Sequence, residues 1–297
     1  MLGRQTPNVG SLVVKGEQRH KIGTSIAPSG LGPAVGYLGL TSIGFQDVDW
    51  FMPVLYWEQF FHDGRGGFIF GRVDPTDFTD ICGYANQWRA FQNASVLVSS
   101  SIAYPDPGMA IGLGHKIGDD VYVGVSTHDA NGSATHIKFF EKGEFFTQAY
   151  VSWSPNARKE RYSKAIGMTA WHSDFRSQRD ISESYGLALS ANWLFAKRWA
   201  PFFRTAWSEG NGPIANANVN AGLQFLKPDS DDVLGLGWSW QKLANRNLGQ
   251  QNTIELFWRK SIASNIEITP SIQVLIDPAL TDDNAVTLFG LRSRFTF

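Results

Sequence analysis

From Ile254 to Phe297 the chain runs through three stretches of about ten residues, each with apolar side chains on alternate positions. The last stretch is the clearest. Phe289, Leu291, Ser293, Phe295 and Phe297 fall on one side, and Leu288, Gly290, Arg292, Arg294 and Thr296 on the other. Successive side chains of a strand point to opposite faces, so this is a strand with an apolar face and a face carrying two arginines. A soluble sandwich hides such an apolar face in its core. A membrane barrel turns it to lipid and lines water with the other face.

The same rhythm recurs along most of the 297 residues. Strands are expected at 11–19, 35–43, 53–61, 68–73, 109–115, 121–127, 145–153, 163–171, 185–195, 199–207, 219–225, 234–240, 254–258, 266–274 and 288–297. Most are about 8–11 residues long, which suits a tilted strand crossing a bilayer better than a soluble strand of about 5–6. Short turns such as Gly118-Asp119-Asp120 alternate with longer polar loops. Trp153, Trp193, Phe195, Trp199, Trp207, Trp240 and Phe297 sit near strand ends, where the aromatic girdles of a barrel meet the interface. The expected fold is all-β: a transmembrane antiparallel barrel of about 15–16 strands, as a single domain over residues 1–297.

Composition agrees. Charged residues are 18 %, below the usual quarter, while Gly (30), Phe (21) and Trp (11) are abundant. A net charge of −1 gives no electrostatic case for nucleic acid. No apolar run approaches the roughly 18–20 residues of a spanning helix, so any crossing is made by strands. Cys82 is the one cysteine and has no internal disulfide partner. Met1–Pro7 lacks the basic and apolar segments of a signal peptide.

One stretch breaks the rhythm. Asp74 to Gly108 has no clean period of two, and a structureless connection of that length is usually functional. It carries Asp74, Asp77, Asp80, Asn86 and Asn93, with Phe78, Tyr84, Trp88 and Phe91 between them.

Several segments resemble the OprB family of carbohydrate-selective porins. The C-terminal Ile268-Thr269-Pro270-Ser271-Ile272-Gln273 leads to Asp277-Pro278-Ala279 and then to Gly290-Leu291-Arg292-Ser293-Arg294-Phe295-Thr296-Phe297. Glu255-Leu256-Phe257-Trp258-Arg259 precedes them. Leu55-Tyr56-Trp57-Glu58-Gln59, Gly71-Arg72-Val73-Asp74-Pro75-Thr76-Asp77-Phe78-Thr79-Asp80, Phe91-Gln92-Asn93, Asp129-Ala130-Asn131-Gly132 and Ala170-Trp171-His172 lie upstream. The resemblance runs over essentially the whole chain. It implies an outer-membrane barrel of sixteen strands that passes small sugars by diffusion. It also implies a signal peptide and a further N-terminal segment before the point where this sequence starts, so the first strand is expected to be missing.

Sugar diffusion needs a constriction with hydroxyl-matching polar groups and flat apolar faces, and binding weak enough to release. Residues 74–108 are expected to fold inward and form it, with Arg72, Asp74, Asp77, Asp80, Asn86, Trp88, Phe91 and Asn93 facing the path. The alternative is an external loop with solvated acids. By parity Arg19, Arg259, Arg292 and Arg294, with Glu17, Glu255 and Glu267, face the lumen. They either orient polar solutes or brace the wall through Arg–Glu pairs.

No cofactor or metal is expected, since the six histidines show no ligand spacing. Trp171-His172-Ser173-Asp174 holds Ser, His and Asp without the separation a triad needs. Asp129–Gly132 matches only part of a calcium loop. Expected partners are small carbohydrates and outer-membrane lipid, with the apolar wall also open to a second copy. The competing readings are a soluble or surface-attached all-β carbohydrate-binding protein and an outer-membrane barrel hydrolase.

Overall fold

Alternation in the sequence becomes pairing in one sheet. The computed structural model describes residues 8–80, 83, 84, 86–155 and 162–297, so Met1–Pro7 and Cys82 lie outside it. Among these residues there are fourteen strands. They are β1 Gly10–Arg19, β2 Val48–Phe61, β3 Gly66–Val73, β4 Gly108–Ile117, β5 Val121–Asp129, β6 Phe145–Trp153 and β7 Lys164–Ser173. Then follow β8 Ser184–Trp193, β9 Trp199–Glu209, β10 Ala215–Leu226, β11 Val233–Leu243, β12 Gln250–Ala263, β13 Ile266–Ile276 and β14 Ala285–Phe295. All pair antiparallel in chain order, with β1 and β14 at the two ends of the order.

Register keeps like with like. Leu236, Leu256, Ile272 and Phe289 are successive partners across β11 to β14, and all are exposed. One residue away, Gly237, Glu255, Gln273 and Leu288 form the row on the opposite face. Glu255 is 0 % exposed while Leu236 is 53 % exposed. Polar inside and apolar outside is the reverse of a water-soluble sheet, where burying apolar area drives folding. It is the order a barrel in lipid requires.

The sheet wraps round its polar face. Phe78, in the connection after β3, lies edge-on to Tyr56 of β2 at 5.8 Å and accepts a hydrogen bond from Gln148 of β6. The same connection is held by Arg292 of β14. One segment touching both ends of the strand order requires a curled sheet with a lumen. The long connections 20–47, 74–107 and 130–144 share one rim, and the tight turns 62–65, 118–120 and 264–265 share the other. Aromatic residues ring both. Trp153 stacks on Trp193 at 5.9 Å and Trp199 meets Phe225 at 4.6 Å on the short-turn rim; Trp207 meets Tyr185 at 6.2 Å on the long-loop rim.

Fourteen of the fifteen expected strands are present, and the exception is 35–43. This segment folds into the lumen instead of joining the sheet. Gly36 and Gly39 take φ of +80° and +151°, a conformation that ends regular extension. Tyr37 there is 0 % exposed and is held by Thr253 and Gln241 of the wall.

Leu189 sits mid-strand on the outer face of β8. Replacing it with arginine (Leu189→Arg) is expected to cost about 2–4 kcal/mol in lipid vesicles, because the cation is placed at bilayer depth. Denaturant unfolding in vesicles measures this. A loss near zero would mean that the face meets water.

Candidate functional site

The described residues of the 74–107 connection turn in against the polar face of the sheet, and their anchors are inner-face side chains of the wall. The carboxylate of Glu255 on β12 accepts hydrogen bonds from the backbone N–H of Gln92 at 2.8 Å and of Asn93 at 2.9 Å. Asn93 then donates to Gln273 on β13 at 3.0 Å, and Gln273 donates to the Thr41 carbonyl at 2.8 Å. Both in-folded segments are thus tied to one patch of wall. Arg292 donates to the carbonyls of Gln87 and Ala90 at 2.7 and 2.9 Å, and Arg259 to that of Arg89 at 2.8 Å.

A second anchor lies three strands away. Arg204 on β9 pairs with Asp80 at 2.8 Å and donates to the carbonyls of Leu97 and Asp80, with both side chains 1 % exposed. Burial pushes the Asp80 carboxyl upward, and the neighbouring Arg204 guanidinium opposes it. Apolar contacts fill in between. Phe91 is 0 % exposed and packs with Tyr84, Phe202 and Phe257; Ile102 and Ala103 pack with Phe146 and Trp171. Phe202, Phe257, Phe146 and Trp171 are apolar residues on the inner face, so the wall carries apolar seats where the segment docks.

The residues expected to face the path therefore divide. Asp80, Phe91, Asn93, Glu255 and Arg292 are buried where segment meets wall. Asp74 accepts from the N–H and hydroxyl of Thr76 and caps the turn Pro75–Asp77. Asn86 caps the next turn by accepting from Trp88 N–H, with its side chain exposed. Asp77 is exposed, and Trp88 is half-buried with its ring edge-on to Phe45 at 5.8 Å. Arg19 of β1 holds its guanidinium 5.9 Å from the Trp88 ring and 5.2 Å from Phe51, and pairs with Glu17 and Gln46. Near the short-turn rim Glu267 is shared by three guanidiniums. Arg89 donates to it at 3.1 Å, Arg294 lies at 3.2 Å and Arg259 at 3.7 Å.

The expectation for Arg72 is corrected. It stands in step with the exposed Phe68 and Phe70, on the outer side of β3. There it is 2 % exposed and donates to the carbonyls of Met52, Ser133, Ala134 and His136. A guanidinium has five donors and no acceptor, which suits it to gather carbonyls, and here it pins the 130–144 connection to the wall. Asp129 likewise serves its own loop, accepting from the N–H groups of Asn131 and Phe140. Arg204 was not foreseen, although it falls on the inner parity of its strand as Arg259 does.

Asp77 is open to lumen water yet walled in at longer range. Confinement, with Asp74 nearby, raises its carboxyl from 3.8 to about 6. The folded chain then holds more protons than the unfolded chain between about pH 4 and pH 6. Stability contributed at Asp77 is expected to fall as pH rises through that window, and Asp77→Asn to remove this part of the slope. Denaturant midpoints across the window test it; a slope identical in both proteins would place its source elsewhere. Asp80→Ala leaves Arg204 buried without its carboxylate and is expected to cost about 3–5 kcal/mol. Protease cutting within 74–107 should then speed up, and a cutting rate equal to wild type would show that the pair does not hold the segment.

Comparison with known proteins agrees with this architecture. The model of the family described as "Carbohydrate-selective porin, OprB family" matches residues 142–297. Porin AaxA of Chlamydia felis is 24 % identical over 179 residues, which is 56 % of this chain and 39 % of that protein. The chain thus spans well under half the length of this curated relative. The high-pH structure of Pseudomonas putida OprB superposes with a TM-score of 0.71 at 16 % identity, covering 89 % of this chain and 78 % of that one. The outer membrane channel DcaP of Acinetobacter baumannii gives 0.54 at 11 % identity, covering 85 % and 76 %. These structural likenesses are likenesses of fold.

Proposed function

This chain belongs to the OprB family of carbohydrate-selective porins, and we propose that it passes small sugars across the outer membrane by diffusion down their gradient. The observation that carries this reading is the segment 74–107 lying inside the lumen. It leaves Trp88, Asn86, Asp77 and Arg89 beside the open path, with Arg19, Glu17 and Arg294 of the wall. An aromatic ring offers a flat face to the apolar side of a sugar. Guanidinium and carboxylate groups already engaged with each other supply hydroxyl partners without holding a full charge toward the solute. Such contacts are individually modest, and release depends on that.

Passage of this kind breaks no bond, so the site calls for no nucleophile, metal or cofactor. The apolar outer wall is the face that would meet lipid or a neighbouring copy.

Planar-bilayer conductance tests the reading. The refolded chain is expected to give discrete steps that glucose or a short oligosaccharide partly blocks. Deleting Thr76–Arg89 is expected to raise the step size and relax size selection. Unchanged conductance after the deletion would exclude this segment as the narrow point. A chain that stays dispersed without detergent and opens no channel would sink the membrane reading.

A further inference from the structure

The short-turn half of the lumen contains a cavity of about 460 Å³ beneath the in-folded segment, within the size range of small-molecule sites. Inner faces of β1 to β6 form its wall, and Asp77 and Phe78 form its roof. Glycines make the hollow. A Cβ at Gly114 would stand 2.0 Å from the hydroxyl oxygen of Tyr122, and a Cβ at Gly167 would stand 2.8 Å from that of Tyr150. Because those positions lack a side chain, both phenol rings can lie along the wall instead of crossing the space. Their centroids are 6.3 Å apart with a tilt of 54°, so together they form a bent aromatic floor.

Polar groups border that floor. Asp77, Glu58 and Lys15 line the cavity, and Gln148 ties its roof to its wall by donating to the Phe78 carbonyl and to Ser126. Carboxylates and an ammonium group do not suit an acyl chain, which would leave them dry. A pyranose fits the combination: its C–H face covers an aromatic ring, and its rim of hydroxyls reaches the acids. The setting of Asp77 favours such a ligand, since a neutral solute neither needs nor disturbs a full charge there.

Resting on the reading of this channel as a sugar path, we propose that the cavity is a docking site for a neutral mono- or disaccharide. Tyr122 and Tyr150 are its floor and Asp77 is a hydroxyl partner. The site does not include Trp88 and shares Asp77 with the open path. Its position on the short-turn side makes it a resting place between the narrow part and the mouth.

The test is current block by maltose in planar bilayers, comparing the unaltered chain with Tyr122→Ala and Asp77→Asn. Each variant is expected to need about three- to tenfold more maltose for half-block, the effect of losing one ring contact or one hydrogen bond. Normal channels with an unchanged half-blocking concentration in both variants would overturn the docking site and leave sugar passage standing. Absence of block by glucose and maltose in the unaltered chain would overturn the sugar reading itself, and the docking site with it. If Tyr122→Ala fails to fold, Asp77→Asn decides alone, because its residue lies in the in-folded segment and not in the wall.

Discussion

Two backbone N–H groups pointing at one carboxylate set the shape of this lumen. The lumen wall is polar, and a segment of more than thirty residues lies against it with backbone groups of its own to satisfy. A buried N–H without a partner costs about 1–3 kcal/mol, and a buried carboxylate without donors costs more. Glu255, Gln92 and Asn93 resolve both needs at once. Arg292, Arg259 and Arg204 repeat the arrangement with the polarity reversed, as wall cations meeting segment carbonyls. Among its described residues the in-folded segment has only short helical turns, so the wall supplies hydrogen bonds that secondary structure would have supplied.

The wall was legible in the sequence because its rule is local. A strand needs only its neighbours' parity, and the outer face repeats Leu, Ile, Phe and Trp at every second position. This is why Arg259, Arg292 and Arg294 were placed on the inner face from sequence alone. Two expectations failed, one for a local reason and one for a tertiary reason. Residues 35–43 have an apolar content like that of a strand, but Gly36 and Gly39 adopt backbone that a strand does not use. Arg72 kept the parity of its strand, yet a loop folded over the outer wall and buried it there. Nothing in the spacing of the sequence records which loop covers which rim.

The role of each residue within 74–107 was harder to read, for a different reason. Asp, Asn and aromatic residues look alike in sequence whether they line water or bind the wall. Asp80 and Asp77 are three residues apart; one is sealed against Arg204 and the other faces the lumen. The difference lies in the wall opposite. A single cation on β9 faces Asp80, while the glycines of β4 and β5 leave space near Asp77. Such pairings across more than a hundred residues are tertiary facts, and only the folded chain displays them.

The in-folded segment is also off-centre. Its buried charged anchors, Glu255, Arg292, Arg259 and Arg204, sit on β9 to β14, whereas β1 to β6 meet it through the Gln148 amide and apolar packing around Phe78 and Phe146, with the cavity open beside it. Holding and sampling are therefore assigned to opposite sides of the same ring. Changes in the cavity wall leave the charged anchors of the segment in place, while changes at Glu255, Arg292 or Arg204 disturb the frame itself. One half of the wall thus sets the size and polarity of the open space, and the other half sets where the segment stands in it.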